Sequence, residues 1–204
     1  MLWNESLVMI DKETRSLWSH LMGKALKGDM EGLVLKPLPC TMLTWAKWRE
    51  LHPDTTVLDM SPTASEFTAE FYREPEKFVL GWRTSSGDFH IGLDKLLQQT
   101  VIHPPDQTET VATFDLGSTA ANLFHAKLDS QSLTFAAAEP GTMRDLETSS
   151  VWNITTGKAI EGEMKGRGLT PLVGIMSYAE AWETFHPESV EVTLPADTTP
   201  QTDR

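Results

Sequence analysis

The chain repeats itself. Displaced by 134 positions, residues 9–53 lie on residues 143–187 without a gap, and 19 of the 45 aligned positions are identical. The identities include Asp11/Asp145, Glu13/Glu147, Thr14/Thr148, Ser16/Ser150, Trp18/Trp152, Gly23/Gly157, Gly28/Gly162, Trp48/Trp182 and His52/His186. Chance alone would give about two or three at ordinary amino-acid usage. A gapless match preserves loop lengths as well as residue types, so the two segments are expected to adopt one module. The stretch between them reads with the second copy and has no counterpart before Met1.

Each copy opens on two short apolar runs, residues 7–10 and 16–21, then 142–144 and 150–155, around a polar turn. That pattern predicts a hairpin. Glycines at 23, 28 and 32, and again at 157, 162 and 166, suit closely spaced turns or bulges. Next, Thr44 and Ser177 precede runs with helical apolar spacing that end at His52-Pro53 and His186-Pro187. A hydroxyl cap, an amphipathic run and a proline stop predict a short helix in each copy. Between the copies, residues 78–82 and 89–91 read as a hairpin, 94–99 as a short helix, and 111–116, 122–126 and 132–136 as strands. A helical turn is expected near 67–72. The expected fold class is α+β and β-rich, with short antiparallel strands and a short closing helix in each of two repeated modules. The expected organisation is 1–58 as the C-terminal half of a first unit, 59–77 as a linker, 78–192 as a complete second unit, and 193–204 as a disordered tail rich in Thr, Pro and Asp.

Composition excludes several functions. Seventeen Lys and Arg against 29 Asp and Glu give a net charge of −12. This repels a phosphate backbone, so no nucleic-acid partner is expected. The apolar run at 7–10 is far too short for a signal core or a membrane span, so no transmembrane segment is expected. The chain as written reads as cytoplasmic, and as extracytoplasmic if a signal sequence stands upstream. The single cysteine, Cys40, excludes an internal disulfide. Gly23-x4-Gly28 and Gly157-x4-Gly162 begin like phosphate-binding loops, but Asp29 and Glu163 stand where a lysine is needed, so no nucleotide cofactor is expected.

Eight residues are candidates for a site. Asp11 with Glu13, and Asp145 with Glu147, place two carboxylates at each turn, suited to Ca²⁺ or to acid–base work. The competing reading is stronger, since Asp and Thr side chains hydrogen-bond turn backbone and a Glu beside them sits in water. Trp18 and Trp152 read as core, with a sugar-stacking role as the alternative. His52 and His186 end helices, where a cation meets the helix dipole well, and neither has partners at metal-ligand spacing. No metal is expected.

The composite Asp11-x-Glu13-Thr14-x-Ser16-x-Trp18, Gly23-Lys24-Ala25, Leu38-Pro39, Thr44–Trp48 and Leu51–Thr55 resembles the DUF3179 family of bacterial and archaeal proteins of unknown function. The resemblance reaches to about residue 192 and implies two related halves. Family members resemble one another most in a T-Y-C-P-x-C motif early in the first half, some with selenocysteine at the first cysteine, which implies thiol or selenol redox chemistry. In the second copy Asp115 and Ser118 stand at those two positions, and neither can exchange disulfides. The first-copy motif would lie upstream of Met1. A UGA codon read as a stop is one explanation for a start at that point, a contig edge or a truncated gene another.

Three functions follow as expectations: a non-catalytic fragment or scaffold module, part of an extracytoplasmic redox or metal-handling protein whose C-x-x-C half is missing, or a glycan-binding module using the tryptophans. Self-association through an exposed N-terminal strand edge is the partner expectation.

Overall fold

A computed structural model describes residues 2–3, 6–57, 74–105 and 109–194. The strands in chain order are β1 (Leu2–Trp3), β2 (Ser6–Ile10), β3 (Leu17–Ser19), β4 (Lys24–Lys27), β5 (Phe78–Thr84), β6 (Gly87–Gly92), β7 (Val101–Ile102), β8 (Thr110–Asp115) and β9 (Ala120–His125). They continue as β10 (Lys127–Leu128), β11 (Gln131–Ser132), β12 (Phe135–Ala137), β13 (Thr142–Asp145), β14 (Val151–Asn153), β15 (Ala159–Glu161), β16 (Thr170–Leu172), β17 (Ile175–Tyr178) and β18 (Val190–Glu191). The α-helices are α1 (Trp45–Leu51), α2 (Leu93–Gln98) and α3 (Ala179–Phe185). The expected linker and the turn near 67–72 fall mostly or wholly outside the described residues, as does the tail from 195.

The strands form four-stranded sheets ordered β1-β2-β3-β4, β12-β13-β14-β15, β16-β9-β8-β7 and β17-β5-β6-β18, with β10-β11 as a separate hairpin. Pairing is antiparallel except for β18, which runs parallel to β6. The β8–β9 hairpin is buried on both faces. On one side its Ala112, Phe114 and Leu123 meet Leu80, Trp82, Ile91, Leu93 and Leu96. On the other its Val111 and Phe124 meet Leu133, Phe135, Met143 and Trp152. Three sheets are therefore layered, with β16-β9-β8-β7 in the middle, which is why β8 and β9 read as almost unbroken apolar runs.

At positions 134 apart the same local features recur. The β3/β4 pairing slips between Leu17 and Trp18, and the β14/β15 pairing between Val151 and Trp152. Isolated bridges join Lys24 to Val34 and Lys158 to Gly168.

The fold-class expectation needs correction. Sheets dominate, and the helices do not close two modules. Among the described residues there are three α-helices, and α2 has no counterpart in the repeat. Helix α1 buries none of its residues. Helix α3 packs on β5 and β17, not on its own hairpin sheet. The reason is Gly81 in β5: a Cβ there would stand 2.5 Å from the Trp182 ring, so the missing side chain makes the seat for the helix. The caps differ too. Thr44 caps α1 without a side-chain bond, and α3 is capped by Tyr178 while Ser177 lies in β17.

Candidate functional site

The Asp-x-Glu-Thr-x-Ser-x-Trp segment forms one hydrogen-bonded clamp in each copy. In the second, the Asp145 carboxylate accepts the Thr148 amide at 2.5 Å, the Thr148 hydroxyl at 2.8 Å and the Trp152 indole N–H at 2.8 Å. Because the Thr148 proton goes to the carboxylate, the Ser150 hydroxyl 2.7 Å away donates to Thr148. Ser150 Oγ in turn accepts the Met164 amide at 3.1 Å and so pins the glycine loop. A Cβ at Gly162, where φ is +87°, would fall 2.6 Å from that oxygen. The first copy repeats the clamp: Asp11 accepts the Thr14 amide at 2.6 Å and the Trp18 indole at 2.9 Å, and Ser16 Oγ accepts the Met30 amide at 3.1 Å.

These bonds account for the acidity of the two aspartates. The Trp18 indole, with the Thr14 amide, lowers the Asp11 carboxyl to about 2. Burial pushes Asp145 upward, but the Trp152 indole and the Thr148 and Ser150 groups outweigh it and hold the carboxyl below its ordinary range. Glu13 is exposed, and Glu147 accepts the Thr134 amide at 2.9 Å. The aspartates thus face inward to the turn, Glu147 binds the Thr134 backbone and Glu13 is exposed, and neither copy presents two carboxylates to a common ligand.

The other four candidates also fall into pairs. Trp18 is half-buried and Trp152 fully buried, each donating its indole N–H to the clamp. His52 lies against Trp48 in a tilted ring contact, at 4.2 Å between centroids and 36° between planes, and is exposed. His186 stacks on Trp182 at 4.0 Å, is 4% exposed, and meets Asp88 Oδ2 through Nδ1 at 2.6 Å. The Trp48 and Trp182 indoles donate to Thr55 at 2.8 Å and Ser189 at 2.9 Å. Among the described residues no group of three His, Cys, Asp or Glu side chains could hold a metal ion, and no helix is long and apolar enough to cross a membrane.

At the redox positions implied by resemblance, Asp115 and Ser118 form a closed polar turn. Ser118 Oγ donates to Asp115 Oδ2 at 2.5 Å, Thr155 Oγ1 donates to the same oxygen at 2.8 Å, and the Gly117 amide donates to Oδ1 at 3.0 Å. Burial raises the Asp115 carboxyl, and these bonds bring it back below the usual range.

The sequence reading missed a cavity of about 720 Å³, between the 39–52 segment, the β9 strand and the 153–160 loop. Cys40, Thr41, Trp48, Asn122, Thr155 and Lys158 are on its wall. Asn122 is 7% exposed; its Oδ1 accepts the Thr41 hydroxyl at 2.7 Å, and its Nδ2 is buried with no partner. The available signal was one amide inside the run Ala120-Ala121-Asn122-Leu123-Phe124.

A family model described as a protein of unknown function (DUF3179) matches residues 1–75 and again residues 69–189. No curated protein and no solved structure matches the chain.

Proposed function

The chain belongs to the DUF3179 family, and from that premise we propose that it serves as a non-catalytic scaffold module, built from two copies of one clamped β-unit. One observation carries this reading: the carboxylates best placed for chemistry, Asp11 and Asp145, are saturated by donors from their own turn and its tryptophan. A general base or metal ligand needs a free lone pair facing a substrate, whereas these face backbone amides and indole N–H groups. The polar turn at Asp115 and Ser118 supports the same reading, because an acid and an alcohol cannot exchange disulfides.

The test is a disulfide-exchange assay on the full chain. The expected result is that the wild type reduces insulin in the presence of dithiothreitol no faster than Cys40→Ser or buffer. Exchange that depends on Cys40 would overturn the proposal in favour of the redox function.

A further inference from the structure

We propose that the cavity bounded by residues 39–52, β9 and the 153–160 loop is a binding site for a small organic anion, a carboxylate carried on an apolar, planar body. The inference goes beyond the scaffold reading and does not depend on it.

The wall holds one donor without a partner. Asn122 lines the cavity; its Nδ2 is buried without a partner, while Thr41 holds its Oδ1. A buried donor without a partner is costly, and a ligand oxygen would relieve that cost. The acceptor of the other amide on the wall is already engaged, since Asn153 Oδ1 takes the Thr155 amide at 3.0 Å and the Thr156 amide at 2.8 Å. A carboxylate presents acceptors only.

Charge points the same way. The chain carries a net charge of −12, yet no Asp or Glu lines this cavity. Lys158 does, and it makes no side-chain ion pair among the described residues. An anion finds a counter-charge on the wall; a cation finds none. Apart from His52 and Thr156, the remaining surface is apolar. The Trp48 indole N–H is occupied by Thr55, so that residue offers its ring, beside Leu51, Leu123 and Leu172. The volume of about 720 Å³ is that of a small-molecule pocket.

Cys40 supplies a reporter, because it is exposed, lies on the wall and is the chain's single cysteine. The experiment measures the rate of Cys40 alkylation by iodoacetamide in the full chain, against rising 2-naphthoate, 2-naphthalenemethanol or methyl glucoside. The expected result is saturable protection by naphthoate, with the neutral alcohol at least about tenfold weaker and the glucoside inactive. Lys158→Gln, at an exposed position, should weaken naphthoate about fivefold or more with the fold intact. Asn122→Leu should weaken it similarly, and its NMR spectrum should lose the side-chain amide signal that shifts on titration in the wild type. Failure to protect at about 10 mM, equal protection by the alcohol, preferential protection by the glucoside, or an unchanged Lys158→Gln variant would each overturn the proposal.

Discussion

Removing the Asp145 carboxylate should unfold the second clamp from its centre. In Asp145→Ala the Trp152 indole N–H and the Thr148 amide lose their acceptor, and Trp152 is fully buried. The buried indole left without a partner costs about 1–3 kcal/mol, and the half-buried Thr148 amide, which water can reach, adds less, so the two together give about 3 kcal/mol. At roughly 3 °C per kcal/mol for a chain of this size, the melting temperature should fall by about 9 °C. Urea unfolding followed by far-UV circular dichroism and tryptophan fluorescence measures this. Asp11→Ala should cost less, because its carboxylate and Trp18 are partly solvated and water can replace the lost acceptor. Two results would refute the reasoning: an Asp145→Ala variant within about 1 kcal/mol of wild type, or an Asp11→Ala variant destabilised more than Asp145→Ala.

Gly162→Ala should destabilise the chain by about 1–3 kcal/mol, since its Cβ would strike Ser150 Oγ in a positive-φ position, and Gly162→Ala combined with Ser150→Gly should recover part of the loss in a thermal melt. Stability should also fall with acid in two stages. Burial lowers the pKa of His90 and His103, and His103 Nε2 accepts the Phe135 amide at 2.8 Å, so the folded rings resist protonation and stability begins to drop below about pH 6.5, where the unfolded histidines charge. Asp11, held at about 2, contributes stability above the unfolded value near 3.9 that is lost as pH falls from there towards 2. Urea midpoints from pH 8 to pH 2 check both stages, and a midpoint that stays level down to pH 4 would contradict the first.

What the sequence made legible was local. The Asp11 and Asp145 turns, the runs that became β8 and β9, and the glycine loops all depend on residues within about one turn or one hairpin of each other. What it hid was nonlocal. An amphipathic run of seven residues announces an apolar face but not which sheet receives it, and the seat for Trp182 is Gly81, about a hundred residues earlier. The His186–Asp88 contact spans 98 positions. Asn122 escaped notice because β9 is buried on both faces, so no alternation shows which layer its amide enters.

The same limit explains how one local sequence meets two environments. Met9 and Met143 occupy the same place beside the clamp, yet Met9 is 45% exposed and Met143 is fully buried. Leu35 and Leu169 behave alike, at 49% and 5%. The clamp hydrogen bonds are made within the module and so recur; burial of its outer face is conferred by whatever lies against it. For Met143 that is Val111, Phe124, Leu133 and Phe135, from the central sheet and the strands beside it. Met143→Ala should therefore open a cavity and cost about 2–5 kcal/mol, while Met9→Ala should stay within about 0.5 kcal/mol. Urea unfolding of the two single variants decides it. Equal losses at both positions would mean that burial is set inside the module, and the distinction between local clamp and borrowed core would fail.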